Sequence, residues 1–309
     1  MPPGKSPCFL LLRRVREDLG GFRGSSSSLI MSDYGILINS CDHYDDCWEP
    51  FFKLLSTYWP DCRGKLYLLT EYKDYSYPGL DITPLKVCER NRFPRDRRAT
   101  WSTCVRWALE AIPEDVVFYV QEDYFLTEPV RNGELERLLA LMEEHPEIKC
   151  LHVTDWNARH FHPSSYGEKL WEMDRFQNWR VSCQAAFWRK DELLAILRDR
   201  EDAWNFEYMA TRRSAAYGHA YLSVAHDWAK HGSYDLFNYV RTGIEHARWK
   251  EDVVPLFEKH GIRVDFSRRG MLADWHKPPF RKRLPRKLKV IGKYVVNLFD
   301  ILAILLFRK

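Results

Sequence analysis

The sequence predicts an α/β protein with a mostly parallel central sheet, helices on both faces of that sheet and a separate C-terminal helix. Short apolar runs alternate with amphipathic stretches through residues 34–126, a pattern typical of parallel strands joined by helices. Polar residues follow several of the apolar runs. Residues 277–309 combine a basic cluster with apolar residues at helical spacing.

Residues 33–126 contain the first strands and helices of the predicted sheet. Each strand candidate is a short apolar run, and each helix candidate has apolar residues on one face. Pro60 ends the first helix candidate because proline cannot continue a helix. The strand candidates are Tyr34–Ser40, Lys65–Glu71, Ile82–Val87 and Asp115–Asp123, and the helix candidates are Asp46–Tyr58 and Arg97–Ile112.

Residues 127–276 continue the alternation and then lose it. The predicted order is a helix, a strand, a long loop, a strand and a helix: Gly133–Glu144, Lys149–Thr154, Asp155–Trp179, Val181–Trp188 and Lys190–Arg200. From Ala203 to His276 the periodicity is weak, while aromatic and charged residues are frequent. This composition predicts a lid or an acceptor-recognition region.

The two ends of the chain differ from its body. Residues 1–32 include a short apolar run and a serine-rich linker, which predict a disordered extension. The chain has a net charge of +4, but residues 277–309 contribute +9, which leaves −5 for the other 276 residues. A mildly acidic body argues against a general nucleic-acid-binding surface.

The C-terminal segment is predicted to be an amphipathic helix after Pro285. One narrow polar stripe recurs at steps of three and four residues, and apolar side chains fill much of the remaining circumference. A broad apolar face with basic flanks predicts a helix that lies in a membrane surface. The alternative is that this helix docks on the body or on a second subunit. The stripe consists of Arg286, Lys289, Lys293, Asn297 and Asp300.

The cysteine pattern and the lengths of the apolar runs indicate the cellular compartment of the protein. Eight cysteines are scattered without a CxxC pair, which predicts reduced thiols rather than a disulfide framework or a zinc module. No apolar run reaches the length of about 20 residues that a membrane-spanning helix needs. These observations predict a cytoplasmic protein that is peripheral on the inner face of the cell membrane.

Polar residues gather where the predicted strands end. In open parallel sheets, ligands bind at the carboxyl ends of the strands. Two adjacent carboxylates cannot both lie in an apolar core, because an unpaired buried charge costs several kcal/mol. The alternative is that these acids cap the strand and pair with nearby arginines. The residues are Asn39, Ser40 and Asp42 after the first strand, Glu71 after the second, and Gln121, Glu122 and Asp123 after the fourth.

These motifs resemble those of the GT-A glycosyltransferases, whose fourth strand ends in a DxD-type motif. Here the motif reads Gln121-Glu122-Asp123, so a strict DxD is absent. The resemblance implies that Asp123 and Glu122 hold a divalent cation, Mn²⁺ or Mg²⁺, against the donor diphosphate. It also implies a nucleotide-sugar site that includes residues of the first two strand ends and the start of the following helix: Asn39, Ser40, Asp42, Glu71, Trp101, Ser102 and Arg106.

A second segment, AWNFEYMATRRSA at Ala203–Ala215, is similar to a late W-x-F-E segment of small bacterial glycosyltransferases of the lipopolysaccharide and capsule type. That similarity implies that Glu207 is the general base, with Asp155 as the second candidate. An apolar surround raises the pKa of a carboxyl group and makes it a stronger base. The alternative is a surface acid paired with Arg212 or Arg213.

The resemblance implies an inverting glycosyltransferase of surface polysaccharide biosynthesis. Such an enzyme transfers a sugar from a nucleotide-diphosphate-sugar donor to a glycan acceptor, which we expect to be lipid-linked. Residues 33–126 would form the nucleotide-sugar half, residues 127–276 the acceptor half and residues 277–309 the membrane-associated tail. Two other functions remain open: a non-catalytic sugar-binding or scaffold protein, and a nucleotidyltransferase on the same fold. The missing GxGxxG and P-loop motifs argue against dinucleotide-binding and P-loop proteins.

Overall fold

The computed structural model describes residues 33–154, 161–227, 232–233, 236–276 and 280–307. At residues 161, 226–227, 232–233 and 280–291 it describes the backbone. The predicted extension 1–32 and the candidate base Asp155 lie outside the described residues.

A nine-stranded sheet forms the centre of the described chain, in the order β3-β2-β1-β4-β8-β5-β9-β7-β6. Within it, β7 and β8 run opposite to the other strands. The strands are β1 (Gly35–Asn39), β2 (Lys65–Leu68), β3 (Ile82–Pro84), β4 (Val116–Gln121), β5 (Ile148–His152), β6 (Phe161–Pro163), β7 (Leu170–Met173), β8 (Ala186–Arg189) and β9 (Ala220–Val224). Two hairpins add β10 (His226–Asp227) with β11 (Gly232–Ser233), and β12 (Ile244–Glu245) with β13 (Arg248–Trp249).

Helices cover both faces of this sheet because its central strands are apolar on both sides. On one face, Leu37 and Tyr119 join a core with residues of α2, α3, α5 and α6. On the other face, Phe118 packs against Trp59, which follows α1. The helices are α1 (Trp48–Tyr58), α2 (Val87–Arg90), α3 (Trp101–Ala111), α4 (Asn132–Glu144), α5 (Lys190–Ile196), α6 (Ala203–Tyr217), α7 (Val253–Lys259) and α8 (Phe280–Phe307).

The predicted fold class is confirmed: the protein has an α/β arrangement with a mostly parallel central sheet, helices on both faces and a C-terminal helix. In the second half of the chain, the structure contains strands and a helix that the sequence pattern does not predict. The predicted loop 155–179 contains β6 and β7, and the weakly periodic region contains α6 and the buried strand β9. The periodicity of α6 is weak because this helix buries polar side chains, among them Glu207, Arg213 and Ser214.

Helix α8 starts at Phe280, so Pro285 lies inside the helix rather than before it. A proline removes one hydrogen bond of a helix and kinks it, without preventing helical structure on either side. No helix in the described part of the chain is long and apolar enough to cross a bilayer.

In the described part of α8, the side chains of its polar stripe, Lys293, Asn297 and Asp300, face the body of the protein. Arg213 on α6 is fully buried, and all five of its N–H groups have acceptors: the carbonyl of Ile196, both carboxylate oxygens of Glu201, and Oδ1 of Asn297 at 2.7 Å. Asp300 pairs with Arg198 and Arg200. Many apolar residues in the described part of α8 are therefore turned outward, with Phe299 66% and Leu306 74% exposed, whereas Ile304 is buried.

Candidate functional site

The candidate site lies where β1 and β4 end side by side. Asn39 and Gln121 are paired in register at these two ends, so their side chains project from the same face of the sheet. Asn39 is buried, and its Oδ1 has no hydrogen-bond partner within the described chain. A buried amide oxygen without a partner is costly for a protein, so this atom is suited to accept a hydrogen bond from a ligand.

Glu207 reaches this edge from α6. The helix begins at the N-cap Asp202, whose carboxylate accepts the N–H of Asn205. Glu207 lies one turn further on and is 9% exposed, and its Oε1 accepts the backbone N–H of Cys183 at 2.7 Å. The side chain of Cys183 interacts with both Gln121 and Glu207. The structure therefore brings Glu207 together with the end of β4.

The electrostatic setting of Glu207 suits a general base. Burial raises the pKa of Glu207 to about 7, while the Cys183 N–H and the positive charge of Arg241 act in the opposite direction. A base whose pKa lies close to the working pH is unprotonated in about half of the molecules and still binds a proton readily. The alternative prediction of a surface acid does not describe this residue, because Arg213 pairs with Glu201 instead.

Asp123 is held by the segment Thr242–Ile244. Its Oδ2 accepts hydrogen bonds from Thr242 Oγ1 at 2.5 Å and from the N–H of Ile244 at 3.0 Å. Gly243 donates its N–H to the carbonyl of Asp123, and a Cβ on Gly243 would lie 2.2 Å from the ring of Phe125. Burial raises the pKa of Asp123, whereas these hydrogen bonds oppose the rise. The carboxylate is consequently fixed in position by a close backbone contact that only glycine permits.

Glu122 lies near Asp46 and Arg269. It is buried, and its pKa is raised well above the usual range by burial and by the neighbouring charge of Asp123. Arg269 binds both carboxylate oxygens of Asp46, at 2.7 and 2.6 Å, and its guanidinium lies 4.1 Å from the ring centre of Tyr44. The buried Nη1 of Arg269 has no hydrogen-bond partner within the described chain. Arg269 thus offers an oriented cationic donor beside the acidic pair.

Asp42 and Glu71 connect the loops that follow β1 and β2. The carboxylate of Asp42 accepts the N–H of Glu71 at 2.8 Å and of Tyr72 at 2.9 Å, and the N–H of Asp42 donates to Glu71 Oε2 at 3.2 Å. Ser40 Oγ accepts the indole N–H of Trp48 at 2.8 Å. These bonds fix the shape of the strand ends, and they occupy polar atoms for which the sequence predicts ligand contacts.

The predicted site residues at the start of α3 contact other parts of the protein. The ring of Trp101 packs against Phe206, and Ser102 is fully buried. Arg106 donates to the carboxylate of Asp199 at 2.6 Å and to the carbonyl of Leu197 at 3.2 Å. The structure therefore does not bring Arg106 into the group formed by Gln121, Asp123 and Glu207, and its role in donor binding stays a prediction.

The donor set of the acidic pair fits a hard divalent cation whose coordination is completed by a ligand. Mg²⁺ is typically bound through one or two carboxylates together with substrate phosphates. Glu122 and Asp123 supply two neighbouring carboxylates, and the mutual repulsion that raises the pKa of Glu122 would be relieved by a cation. In the described part of the chain, one group of three possible ligands converges, Glu71, Cys88 and Cys104, and it does not include the acidic pair.

Arg269, Arg241 and Thr242 are absent from the residues that the sequence predicts for this site. Each of them lies more than 100 residues after the Gln121-Glu122-Asp123 motif, in the region of weak periodicity. The Thr-Gly pair at 242–243 is the one local signal, because glycine often marks a close backbone approach.

No family model matches the chain, and no curated protein matches it in sequence. The chain is similar in structure to residues 1–349 of TarS from S. aureus, with 13% identity and a TM-score of 0.40, over 65% of this chain and 59% of that one. It is also similar to a UDP-glucose pyrophosphorylase bound to UDP-glucose, with 10% identity and a TM-score of 0.38, over 63% and 90% of the two chains. Mannosyl-3-phosphoglycerate synthase from Rubrobacter xylanophilus is similar over 52% and 54%, with 9% identity and a TM-score of 0.32. These distant similarities carry no argument about activity, which must come from the site itself.

Proposed function

We propose that this protein is a glycosyltransferase that moves a sugar from a nucleotide-diphosphate-sugar donor to a hydroxyl group of a glycan acceptor. The observation that carries the proposal is the position of Glu207: a buried carboxyl group with a pKa of about 7 lies beside the strand end that carries two adjacent carboxylates. Glycosyl transfer needs both parts, a base for the acceptor hydroxyl and a charged site for the leaving diphosphate.

The donor half of the proposal uses the residues around β1 and β4. Asn39 Oδ1 accepts a hydrogen bond from the nucleoside, with Gln121 beside it on the same face of the sheet. Glu122 and Asp123 would hold a divalent cation, which would supply positive charge for the diphosphate. Arg269 adds a second positive charge through its inward Nη1. The neutralised diphosphate is a better leaving group.

The chemical step is a single displacement. Glu207 takes the proton of the acceptor hydroxyl while the oxygen attacks the anomeric carbon of the donor sugar. A new C–O bond forms, the bond from that carbon to the diphosphate oxygen breaks, and its electron pair leaves with the nucleotide diphosphate. Attack opposite to the leaving group inverts the anomeric configuration. Asp155 remains the second candidate for the base.

The outward apolar face of α8 supports the proposal that the enzyme is peripheral on a membrane. Because the polar stripe of α8 contacts the body, apolar side chains on the other side of this helix are exposed. Apart from Lys293, which pairs with Asp202, the basic residues in 277–309 favour an anionic bilayer, to which each contributes about 1 kcal/mol. We place the enzyme at the cytoplasmic face of the cell membrane, with a lipid-linked glycan acceptor of surface polysaccharide biosynthesis.

A product assay tests the proposal and separates it from the alternatives. The protein is incubated with a panel of nucleotide sugars and Mn²⁺, and released nucleotides are quantified. We expect release of a nucleotide diphosphate that is lost in Asp123→Asn and retained in the exposed control Glu168→Gln. Release of pyrophosphate from a nucleoside triphosphate and a sugar phosphate would instead establish a nucleotidyltransferase, and binding without release would establish a non-catalytic protein.

A further inference from the structure

A cavity of about 400 Å³ lies between α6, α8 and the segment 174–178, apart from the acidic pair. Its wall is mostly apolar and includes Ala215, Ala216, Ile301 and Leu305. Phe176 also lines it and is 84% exposed. The proposed donor site does not use this cavity, so its occupant must be inferred from its own chemistry.

The cavity opens on the apolar surface of α8. Leu305 belongs both to the cavity wall and to the outward face of the helix, where it is 56% exposed. Neighbouring apolar residues of that face, such as Leu302 and Leu306, are exposed as well. If α8 lies in a bilayer surface, apolar side chains connect the hydrocarbon to the cavity at this edge, so an apolar chain can enter there.

Two arginines supply the polar part of the wall. Arg175 donates Nε–H to the carbonyl of Ala215, and its guanidinium lies 5.6 Å from the ring centre of Phe176. Arg212 donates Nη1–H to the carbonyl of Tyr208 at 2.6 Å and lies over the ring of Tyr294. A guanidinium has five N–H donors, so these bonds orient each group and leave further donors for a phosphate. An apolar wall with two oriented arginines matches a lipid with a phosphate head.

Helix α6 connects this cavity to the candidate base. Thr211 lines the cavity and lies one turn after Glu207, a rise of about 6 Å along the helix axis. The hydroxyl of Thr211 bonds to the N–H and the carbonyl of Val181, and Glu207 bonds to Cys183. Both residues therefore contact the same segment, 181–183, which links the cavity wall at Thr211 to the candidate base.

We propose that the cavity between α6, α8 and residues 174–178 binds the lipid part of the acceptor, with its hydrocarbon chain against Ala215, Ala216 and Leu305 and its phosphate on Arg175 and Arg212. This inference rests on the proposed function for the identity of the acceptor, but the binding site itself is independent of the transfer reaction. It names the acceptor class as a single- or multi-chain lipid whose head group is linked through phosphate.

Binding of dodecyl phosphate to the full chain, measured by titration calorimetry below the critical micelle concentration, tests the site. We expect binding of one molecule per chain, and binding weaker by about tenfold or more in the double variant Arg175→Gln/Arg212→Gln. The matched control is Arg137→Gln, an exposed arginine on α4, which should bind as the unchanged protein does. Dodecyl maltoside and inorganic phosphate serve as neutral-head and chain-free probes, and both should bind at least about tenfold more weakly.

A cavity-filling variant tests the location. Ala215→Phe should abolish dodecyl phosphate binding. If Ala215→Phe has a lower melting temperature than the unchanged protein, Ala216→Phe is tested in its place. Unaltered binding in a folded cavity-filling variant, or equal binding of the maltoside, would overturn the proposal. Donor cleavage is measured in parallel: cleavage without dodecyl phosphate binding overturns the lipid site alone, whereas binding without any cleavage overturns the proposed function alone.

Discussion

The carboxylate of Glu207 accepts a 2.7 Å hydrogen bond from the backbone N–H of Cys183, and this bond joins α6 to the irregular segment before β8. The bond fixes one carboxylate oxygen of Glu207. Because the carboxylate has two oxygens, the other is available for the acceptor hydroxyl in the proposed reaction. Because Glu207 is held in place and has a raised pKa, it is suited to take the proton of an acceptor hydroxyl at a fixed position.

The raised pKa of Glu207 predicts a pH-dependent stability difference between the protein and Glu207→Gln. The folded-state pKa of about 7 lies above the ordinary 4.5. Ionisation of this carboxyl group therefore does not affect the free energy of unfolding well below pH 4.5, and it destabilises the fold increasingly as the pH rises to about 7. The difference of about 2.5 pKa units corresponds to roughly 3 kcal/mol.

Denaturant unfolding at pH 5 and pH 8 measures this effect. We expect Glu207→Gln to gain stability relative to the unchanged protein by about 2.5 kcal/mol between the two pH values, because part of the penalty is already present at pH 5. The exposed control Glu168→Gln should show no such gain. A constant difference between Glu207→Gln and the unchanged protein at both pH values would show that the pKa of Glu207 is not raised.

Arg269 is predicted to bind the leaving diphosphate. Arg269→Lys keeps the positive charge but loses the paired geometry toward Asp46 and the inward Nη1. We expect kcat/KM for the donor to fall by about 10- to 1000-fold. The neighbouring Arg268→Lys, which alters a partly exposed ion pair with Asp45, should change it by less than about threefold. Equal losses in the two variants would refute a specific role for Arg269.

Gly243 is predicted to be necessary for the position of Asp123. A Cβ at residue 243 would lie 2.2 Å from Phe125 and 3.1 Å from the carbonyl of Asp123, so Gly243→Ala should destabilise the protein by about 1–3 kcal/mol. Gly133→Ala on α4 is the matched control, because a Cβ there meets no atom within 4 Å. That control should be neutral or stabilising by up to about 1 kcal/mol. The stabilities of both variants are compared by thermal unfolding. Equal changes in the two variants would contradict the prediction for Gly243.

The two faces of α8 are predicted to have separate roles. Asn297→Ala removes the acceptor of one buried N–H of Arg213 and should cost about 1–3 kcal/mol in the free energy of unfolding. Phe299→Ser, on the outward face, should leave stability within about 0.5 kcal/mol but weaken sedimentation with anionic vesicles. Vesicle binding that is unaffected by Phe299→Ser would refute the membrane role of this face.

The first four strands and the acidic pair were predictable because their signals are local. Strands buried on both faces are continuous apolar runs, and two charges at the end of such a run indicate an edge of the sheet. The Asp123–Thr242 and Glu207–Cys183 contacts join residues far apart in the chain, so no local pattern marks them. The polar stripe of α8 can be recognised in the sequence. The direction in which it faces depends on Arg213, which lies 84 residues before its partner Asn297.

The transfer rate of Glu207→Gln at saturating donor, compared with the unchanged protein, tests whether Glu207 is the general base. Glutamine keeps the size and the hydrogen bond to Cys183 but cannot take a proton. The account predicts a loss of about 100- to 10,000-fold in transfer, with donor affinity within about twofold and with loss of a rate profile that rises through pH 7. Transfer retained within about tenfold, with an unchanged pH profile, would contradict it and would make Asp155 the residue to test next.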